Sequence, residues 1–585
     1  MSYVLGLNLS HDRSAAIVKD GEVLVAIEEE RLDRIKHSEG FLVQGHFERL
    51  TKTLPMKAVT YCLDAVGIGI DDLDLVVGNR PLGDGSVRRI LRELPIRDKS
   101  KIHAIPLPSH HLAHAAVTFY TSPFEDAAVL VVDQAGSRSA DGTIEKHTAF
   151  VGEGTELRPV AATSYPVDYS DMSLGLFYDF FTAKLNFLTR YGTPDFGVFG
   201  CGGYPEAGKT MGLAPYGRPR PEWGDWLTFD GFDITVSQDD LEKIWQDLLA
   251  AEGGDYDPKA RNSWEHQFAK DVSYKIQDEL ERALLHLAQV TKELTGKSKL
   301  CLAGGVTLNS VANQKIRAAG IFEDVFIPAP AGDSGVAIGA ALYGWHTMLD
   351  GKERKVLRTA ALGRTYSRER AEEALEAYRG KLEWREAEIP EVAELLSQHY
   401  LVGWVQGPSE MGPRALGHRS MLADPRHPRT RDYLNVTVKH REVFRPYAPS
   451  VLAEHVSEWF DFEGESPFML LVPGVREERR EQVPAITHVD GTARVQTVHP
   501  ELDPAYHALI SAFHERTGVP LVLNTSYNDN GEPIVETPED ALRTFARTEL
   551  DFLYLEGLLV SKVGRDTLPE GHPRETPLAD DAAGK

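Results

Sequence analysis

Cysteine is scarce in this chain: the 585 residues include only Cys62, Cys201 and Cys301, and no two of them form a CxxC pair. This spacing excludes a disulfide scaffold and a zinc site built from paired thiolates. The sequence also lacks a run of about 18 apolar residues, the length that a membrane-spanning helix needs. Its first residues show no basic segment followed by an apolar one, which is the pattern of a signal peptide. We therefore expect a cytosolic protein with no membrane segment.

Positively charged residues are also few relative to acidic ones. The chain has 63 Lys and Arg against 88 Asp and Glu, which gives a formal net charge of −25. This surplus of acid disfavours broad contact with the phosphates of nucleic acids, so we expect no nucleic-acid partner. Hydrophobic residues make up 42% and charged residues 26%, the composition of an ordinary globular protein. At about 100–200 residues per domain, the length predicts two or three domains.

Three apolar runs are followed by residues that favour turns. YVLGLN (3–8) precedes a hairpin with its turn at Asp20-Gly21, AAVLVVD ends at Asp133, and KLCLAGG ends at Gly304-Gly305 before a helical pattern. Apolar residues at helical spacing predict a long helix over 264–296. Strands that end in glycine turns and feed helices indicate a mixed α/β architecture.

A charged segment, DGKERKVLRT (350–359), follows the helix-like GVAIGAALYGWHTML, so we place a domain boundary near residue 357. A second unit is predicted to begin there with a helix (SRERAEEALEAY) and a short strand (LVGWV, 401–405). The last residues, 566–585, are rich in Pro, Gly and charge and are expected to form a disordered tail.

Two histidines four residues apart, His110 and His114, are the most informative pair in the sequence. Residues i and i+4 share one face of a helix, so the two imidazoles could hold one metal ion, although packing histidines are the alternative. Ser109 precedes them as a natural N-cap, which would place the pair in the first turns, open to solvent. Asp133 at a strand end is suited to complete the site. Imidazoles with carboxylates suit iron, manganese or zinc better than calcium.

Two glycine-rich turns, 304–309 and 331–335, each precede a helix. Such turns expose backbone N–H groups that suit a phosphate, although plain loop turns are the alternative. The segment GYPEAGKT (203–210) matches a Walker pattern, but Gly and Pro interrupt its approach and its exit. We therefore expect no P-loop there and at most a loop lysine, Lys209, in contact with a phosphate.

A basic segment stands out from the acidic background. Residues 414–445 contain eight Lys and Arg but three acids, and Gly412-Pro413 and Pro446 interrupt the pattern of an extended helix. Converging arginines favour a small phosphate ligand, with a solvated basic face or nucleic acid as the alternatives. Downstream, LVLNTSYN (521–528) places amide and hydroxyl groups at a strand end, and near the start His11 follows the first strand, where it could act as a general base.

Taken together, these segments resemble the NodU/CmcH-type O-carbamoyltransferases. The motifs that carry the resemblance run in order from residue 10 to about 541: SHDRSAAIVKDG, EEERLDRIKH, HHLAHAA, VLVVDQAGS, GKTMGLAPYG, LAGGVTLNSVAN, PAGDSGVAIGAAL, GPSEMGPRALGHRS, VKHREVFRPYAPSV and LNTSYNDNGEPIVETPEDA. The resemblance implies an N-terminal actin-like ATPase domain over 1–357, similar to the tRNA threonylcarbamoyl-transfer subunit, and a YrdC-like domain over 358–565.

The family also implies a reaction. Carbamoyl phosphate and ATP would form a carbamoyl-adenylate in the YrdC-like domain, and the N-terminal domain would pass the carbamoyl group to a hydroxyl of a small-molecule, natural-product acceptor. Transfer to an amine, carbamate hydrolysis, RNA modification and a nucleotide-binding module without chemistry are the alternatives. A homodimer is compatible with the sequence.

The resemblance further implies roles for individual residues. A divalent metal, with iron expected, would be bound by His110, His114, Asp133 and Asp333, and magnesium would accompany ATP. His11 would be the catalytic base. Carbamoyl phosphate would be bound by Lys439, Arg445, Arg494, Asn524 and Ser526, with Arg414 and Arg441 as weaker candidates, and Lys439 and Arg445 would also be catalytic. Nucleotide contacts would come from Lys36, Lys209, Gly305, Asn309, Asn313 and Gly332.

One position departs from the expected pattern. Gln134 follows Asp133 where the family is expected to have glycine, and its side chain could crowd the phosphate loop or contact the acceptor. The acceptor pocket is expected in variable segments around 80–100 and 160–200, which include Tyr165, Tyr169 and Phe177.

Overall fold

The computed structural model describes residues 2–38, 41–43, 50–52, 54–79, 90, 92–189, 204–564 and 571–575. The chain divides into two compact units, Met1–Leu357 (unit 1) and Arg358–Lys585 (unit 2). The tail predicted over 566–585 lies outside the described residues except for 571–575, as do Cys201 and Gly203.

Unit 1 alternates strands and helices. Its strands are β1 (Tyr3–Asn8), β2 (Ser14–Lys19), β3 (Glu22–Glu28), β4 (Phe41–Val43), β5 (Leu50–Lys52), β6 (Leu75–Gly78), β7 (Ile102–Ala104), β8 (Asp126–Val132), β9 (Ile144–Glu153), β10 (Glu156–Tyr165), β11 (Leu188–Thr189), β12 (Tyr204–Pro205), β13 (Thr228–Asp230), β14 (Asp233–Thr235), β15 (Lys299–Ala303) and β16 (Asp324–Phe326). Its α-helices are α1 (Glu29–Asp33), α2 (Met56–Val66), α3 (His110–Thr121), α4 (Leu174–Lys184), α5 (Ala207–Leu213), α6 (Gln238–Glu252), α7 (Gln267–Thr295), α8 (Ser310–Ala318) and α9 (Val336–Tyr343).

Two five-stranded sheets in unit 1 share one topology. The first has the order β3-β2-β1-β6-β7, and the second has the order β10-β9-β8-β15-β16. In each sheet the first three strands of the chain pair antiparallel, and the last two run parallel to the first. This duplicated sheet is the arrangement of the actin-like ATPase fold. The predicted α/β class and the actin-like fold of the N-terminal part are confirmed.

Helix α9 packs against α3 and against β1 through glycine. A Cβ atom on Gly339 of α9 would lie 2.0 Å from the carbonyl oxygen of Ala113 in α3, and one on Gly6 of β1 would lie 1.9 Å from the carbonyl oxygen of Ala337. Only glycine permits backbones to approach this closely. The approach brings the residues after β1, the first turns of α3 and the turn before α9 into one region.

Unit 2 contains an eight-stranded mixed sheet in the order β17-β24-β23-β18-β19-β22-β20-β21. Its strands are β17 (Leu382–Glu386), β18 (Val402–Val405), β19 (Arg419–Ala423), β20 (Ala448–Leu452), β21 (Gln496–Val498), β22 (Leu521–Ser526), β23 (Phe552–Leu555) and β24 (Leu558–Lys562), and its helices are α10 (Arg368–Glu376), α11 (Ile389–Ser397), α12 (Arg429–Tyr433), α13 (Val456–Trp459), α14 (Pro504–Thr517) and α15 (Pro538–Arg547). An apolar core packs on this sheet and includes the fully buried Trp404 and Phe513. Among the described residues, none of the helices combines the length and the apolar character that crossing a bilayer requires.

Candidate metal centre and anion site

The start of α3 carries the two histidines of the predicted metal site. Ser109 occupies the N-cap position, but its side chain makes no capping hydrogen bond. Instead the hydroxyl of Ser137 accepts hydrogen bonds from the backbone N–H groups of Ser109 and His110, each at 3.0 Å. His110 and His114 are 1% and 0% exposed. Ser109 is the N-cap residue and the pair lies in the first turns, as expected, but the expectation of a solvent-open pair was wrong, because the turn after β8 covers the start of this helix.

Four side chains converge at this point. His110 Nε2 lies 2.9 Å from Asp133 Oδ2 and 3.1 Å from His114 Nε2. Asp333 Oδ1 lies 3.3 Å from the first of these nitrogens and 3.4 Å from the second. All four donor atoms are within 4.8 Å of one another. The structure therefore brings together the ligands that the family resemblance implied.

These separations fit a transition-metal ion. Donor atoms at about 2.1 Å from a common centre lie about 3.0 Å apart at right angles and about 3.4 Å apart at tetrahedral angles. Burial lowers the pKa of His110, but the charges of Asp333 and Asp133 outweigh it and raise that pKa well above its usual value. Two imidazoles with two carboxylates suit iron, manganese or zinc, whereas calcium prefers oxygen ligands.

The second oxygen of each carboxylate is held by a neighbouring group. Asp133 Oδ1 accepts hydrogen bonds from the backbone N–H of Gln134 at 2.8 Å and of Gly305 at 3.0 Å. Asp333 Oδ2 accepts one from the hydroxyl of Ser10 at 3.0 Å. Such outer contacts fix the orientation of a ligand and leave its other oxygen aimed at the centre.

The two predicted glycine turns border this cluster. A Cβ atom on Gly305 would lie 3.0 Å from Asp133 Oδ1, and one on Gly332 would lie 3.9 Å from the Cα atom of Gly305. Asn309 caps α8 and exchanges amide hydrogen bonds with Gln277.

The other candidate nucleotide residues are placed differently. Asn313 is fully buried and donates to the carbonyl oxygen of Thr307 at 2.7 Å, so it supports the turn from inside. Lys209 Nζ lies 3.5 Å from Glu206 Oε1, and Lys36 is half-buried after α1. The Walker-like segment has only the two-residue β12 before α5 in its described part, which is not a P-loop.

His11 follows β1 and is tied to the metal cluster through Asn8. The amide of Asn8 donates to the backbone oxygens of His11 and Asp333 at 2.8 and 2.9 Å. His11 Nδ1 lies 2.9 Å from Asp12 Oδ2, and its side chain is 40% exposed. An exposed imidazole beside a buried group of histidines and aspartates is suited to accept a proton from a bound molecule.

Unit 2 contains a cluster of arginines, the second candidate site. Burial lowers the pKa of Arg494 well below its usual value, and the charges of Arg414, Arg441 and Arg445 lower it further. Burial also lowers the pKa of Arg414 and of Arg441 to about 10, in both with a contribution from Arg445. The Nε atoms of Arg414 and Arg494 have no hydrogen-bond partner among the described residues. The cluster therefore concentrates positive charge that a bound anion would neutralise.

The remaining predicted anion ligands lie on β22 and beside it. Lys439 Nζ donates to the backbone oxygen of Ser526 and to Asn528 Oδ1, the latter at 2.7 Å. The amide of Asn524 donates to the backbone oxygen of Ala415 at 3.1 Å, next to Arg414. The predicted basic segment does not converge as a whole: Arg419 is buried against backbone oxygens, and Arg426 pairs with Asp424.

Comparison with known proteins identifies the family. The model for the carbamoyltransferase N-terminus matches residues 3–101 and 86–342, and the model for the carbamoyltransferase C-terminus matches residues 393–562. The chain belongs to the carbamoyltransferase family. It is therefore an enzyme whose reaction is carbamoyl transfer.

Similar curated proteins support this membership. Nodulation protein NolNO of Sinorhizobium fredii is 37% identical over 96% of this chain and 80% of its own length. Nodulation protein NolO of Bradyrhizobium diazoefficiens is 37% identical over 78% of this chain and 79% of its own length. Among solved structures, T. kodakarensis HypF is 16% identical, with a TM-score of 0.35 over 60% of this chain and 48% of that chain. A likeness this weak indicates nothing further about the carbamoyltransferase described here.

In this carbamoyltransferase, Gln134 holds the turn after Asp133 against α4. Its side-chain amide donates to Asp179 Oδ2, and its backbone oxygen accepts from the hydroxyls of Tyr165 at 3.2 Å and Ser173 at 2.6 Å. A Cβ atom on Gly175 would lie 2.6 Å from the Cα atom of Gln134. The side chain therefore points toward α4 and does not crowd the turn after Asp133.

The expected acceptor segments are only partly described. Residues 80–89, 91 and 190–200 lie outside the described residues. Tyr165 and Phe177 are buried, and the ring of Tyr165 lies 6.4 Å from that of Tyr169. Sequence reasoning missed several polar residues around the metal cluster and His11: Asn8, Ser10, Asp12, His37 and Asp179. Asn8, Ser10 and Asp12 were within reach, since they lie within three residues of His11, but His37 and Asp179 are brought in by contacts between distant segments.

Proposed function

We propose that this carbamoyltransferase uses ATP to transfer a carbamoyl group from carbamoyl phosphate to a hydroxyl of a small-molecule acceptor. Unit 2 would form the carbamoyl-adenylate, and unit 1 would transfer the carbamoyl group. The observation that supports this division is the presence of two differently charged sites in one chain. The arginine cluster of unit 2 suits phosphorylated substrates, and the imidazole–carboxylate cluster of unit 1 suits a metal that holds a phosphate.

Forming the adenylate would make the carbamoyl carbon more reactive toward the acceptor. A carbamate is a poor electrophile because its nitrogen donates electrons into the carbonyl group. Carbamoyl phosphate, ATP and water would give a carbamoyl-adenylate, pyrophosphate and phosphate, so that AMP becomes the leaving group. Arg445, Arg494 and Lys439 would neutralise the phosphate groups that otherwise repel one another.

In unit 1 the acceptor hydroxyl attacks the carbamoyl carbon. His11 Nε2 would take the hydroxyl proton as the new C–O bond forms and the bond to AMP breaks. His110, His114, Asp133 and Asp333 would hold a divalent ion, for which we propose iron, and this ion would supply positive charge to a phosphate oxygen. The backbone N–H groups of the turns at Gly305 and Gly332 are suited to contact the same phosphate.

The test of the reaction uses the full chain with carbamoyl phosphate, ATP and matched hydroxyl and amine acceptors. We expect pyrophosphate release that depends on carbamoyl phosphate, and a carbamoylated product with hydroxyl acceptors. Product with amine acceptors alone would support transfer to nitrogen. Pyrophosphate release that does not require carbamoyl phosphate would contradict the proposal.

The metal assignment is tested separately by elemental analysis. We expect about one iron atom per wild-type chain and a loss of most of it in His114→Ala, because one of four ligands is removed. His286→Ala, at a half-buried histidine, is the matched control and should keep the metal, since His286 contacts the Gly231 oxygen far from these ligands in sequence. Full metal content in His114→Ala would contradict the assignment.

A further inference from the structure

Two histidines in unit 1 share the carboxylate of Asp12. His11 Nδ1 lies 2.9 Å from Asp12 Oδ2, and His37 Nδ1 lies 2.8 Å from Asp12 Oδ1. The two imidazole rings stack with their centroids 4.9 Å apart and an angle of 26° between them. Each oxygen of the carboxylate thus contacts the Nδ1 atom of one ring.

The backbone adopts unfavourable conformations to make this arrangement. Asp12 has a φ of 52° and His37 a φ of 63°, both in the left-handed region. Such a conformation costs a non-glycine residue about 1 kcal/mol or more, and it is concentrated at functional sites. Neither position is filled by glycine, so the side chains have a use that outweighs the strain.

Further hydrogen bonds join the two loops into one unit. The backbone N–H of Asp12 donates to the His37 oxygen at 3.2 Å. Arg13 is 7% exposed and donates to the backbone oxygen and the hydroxyl of Ser38 at 2.9 and 2.7 Å. Asn8 joins the same unit to the metal turn, because its amide donates to the backbone oxygens of Asp12 and Asp333.

We propose that Asp12 and His37 are positioning residues of the carbamoyl-transfer step, and this inference rests on the proposed function. The carboxylate of Asp12 accepts a hydrogen bond from the protonated Nδ1 of His11. The Nε2 atom of the same ring is then unprotonated and available to the acceptor hydroxyl. His37 holds the other oxygen of Asp12 and so keeps the carboxylate from turning away from His11.

The proton balance of the step is simple. The hydroxyl proton moves to His11 Nε2, the acceptor oxygen bonds to the carbamoyl carbon, and AMP leaves with the electrons of the broken C–O bond. The carboxylate of Asp12 stays ionised and stabilises the imidazolium that forms, as in serine hydrolases. Burial raises the pKa of Asp12, but the charges of His11 and His37 outweigh it and hold the pKa well below its usual value, which agrees with an ionised carboxylate.

The experiment separates the two half-reactions in the full chain. Pyrophosphate release with carbamoyl phosphate and ATP reports adenylate formation, and carbamoylated acceptor in a single turnover reports transfer. We expect Asp12→Asn to slow transfer at least about 100-fold, with adenylate formation within about twofold of wild type, because the amide favours the wrong tautomer of His11. Asp64→Asn, an exposed aspartate on α2, is the matched control and should leave both rates unchanged.

Two substitutions of His37 test its separate part. His37→Phe removes the donor to Asp12 and should slow transfer about tenfold. His37→Asn places an amide N–H near the former Nδ1 atom and should restore transfer to within about threefold of wild type. His103→Phe, at an exposed histidine on β7, is the control for loss of an imidazole. Because these variants keep Asp12 itself, they test the inference even if Asp12→Asn does not fold.

Three results would overturn the inference. One is normal transfer by Asp12→Asn, and another is equal loss in His37→Asn and His37→Phe. The third is a second bound metal in wild type that both His37 variants lose, because these three side chains also lie close enough to share an ion. Absence of carbamoyl-phosphate-dependent pyrophosphate release in wild type would instead refute the proposed function.

Discussion

Burial and the charges of three neighbouring arginines disfavour the positive charge of Arg494 in the folded protein and lower its pKa well below the usual value. Without an anion this charge destabilises unit 2, so we expect Arg494→Gln to raise the free energy of unfolding by about 1 kcal/mol in phosphate-free buffer. The same variant should lose the activity, because the phosphate group loses a counter-charge. Thermal unfolding with and without inorganic phosphate measures the first effect, and pyrophosphate release with carbamoyl phosphate and ATP measures the second.

An exposed arginine provides the control. Arg379→Gln removes a guanidinium whose side chain is 72% exposed and paired with Glu376. It should not raise the melting temperature, and phosphate should stabilise it as it stabilises wild type. A lower melting temperature for Arg494→Gln in phosphate-free buffer would show that the four guanidinium groups do not repel one another there.

Glu556 should make the stability of unit 2 depend on pH. Burial raises the pKa of this carboxyl from 4.5 to about 7, against the opposing charge of Arg419, and its Oε1 atom accepts from the Gly407 N–H at 2.9 Å. Between these two values the folded chain holds a proton that the unfolded chain has lost. The free energy of unfolding therefore falls as the pH rises through this window and is level above it.

Glu556→Gln keeps the acceptor for Gly407 but removes the titration. The difference in stability between variant and wild type should grow in favour of the variant by at most about 1.4 kcal/mol per pH unit from pH 4.5 to 7. Denaturant unfolding across this range measures it, with Glu383→Gln at an exposed position as the control. A difference that stays constant with pH would contradict the assignment.

At the scale of elements, the contact between α3 and α9 holds the proposed metal ligands together. His110 and His114 lie on α3, and Asp333 precedes α9. A Cβ atom at position 339 would lie 2.0 Å from a backbone oxygen, which no side-chain movement can relieve. We expect Gly339→Ala to separate the helices, lower the free energy of unfolding by about 3 kcal/mol and reduce the iron content.

Gly208→Ala is the control for the same change in another helix. A Cβ atom there meets nothing within 4 Å, so the substitution should leave stability unchanged or raise it by up to about 1 kcal/mol. Chemical unfolding and elemental analysis of both variants check the prediction. If Gly339→Ala kept the wild-type stability and iron, the close approach would not position the ligands.

Local patterns predicted the elements better than they predicted the neighbours of each element. The hairpin turn at Gly21 follows from its Asp-Gly pair, the strand before Asp133 from a continuous apolar run, and the shared face of the two histidines from the 3.6-residue period of a helix, all of which a sequence displays directly. The role of Ser137 did not follow, because it reaches Ser109 only through the turn after β8. Arg494 lies far along the chain from the basic segment, and only the family resemblance placed it in the anion site.

At the scale of the whole molecule, the proposed function divides the reaction between the two units. His114→Ala should still release pyrophosphate but form little carbamoylated product. Arg494→Gln should release little pyrophosphate and form little product. A carbamoyl-adenylate is a mixed anhydride that water destroys, so an enzyme gains by keeping it from bulk solvent. We therefore expect one chain to complete both steps on the same carbamoyl group.

Mixing the two inactive variants tests this directly. If the intermediate stays within one chain, an equimolar mixture of His114→Ala and Arg494→Gln should form no more product than the two variants measured apart. Wild type mixed one to one with each variant provides the reference, and it should retain about half of its activity per total protein. In the mixture, only Arg494→Gln keeps the four proposed metal ligands and only His114→Ala keeps the four arginines. Product at a rate comparable with that reference would therefore mean that the adenylate diffuses from one chain to another.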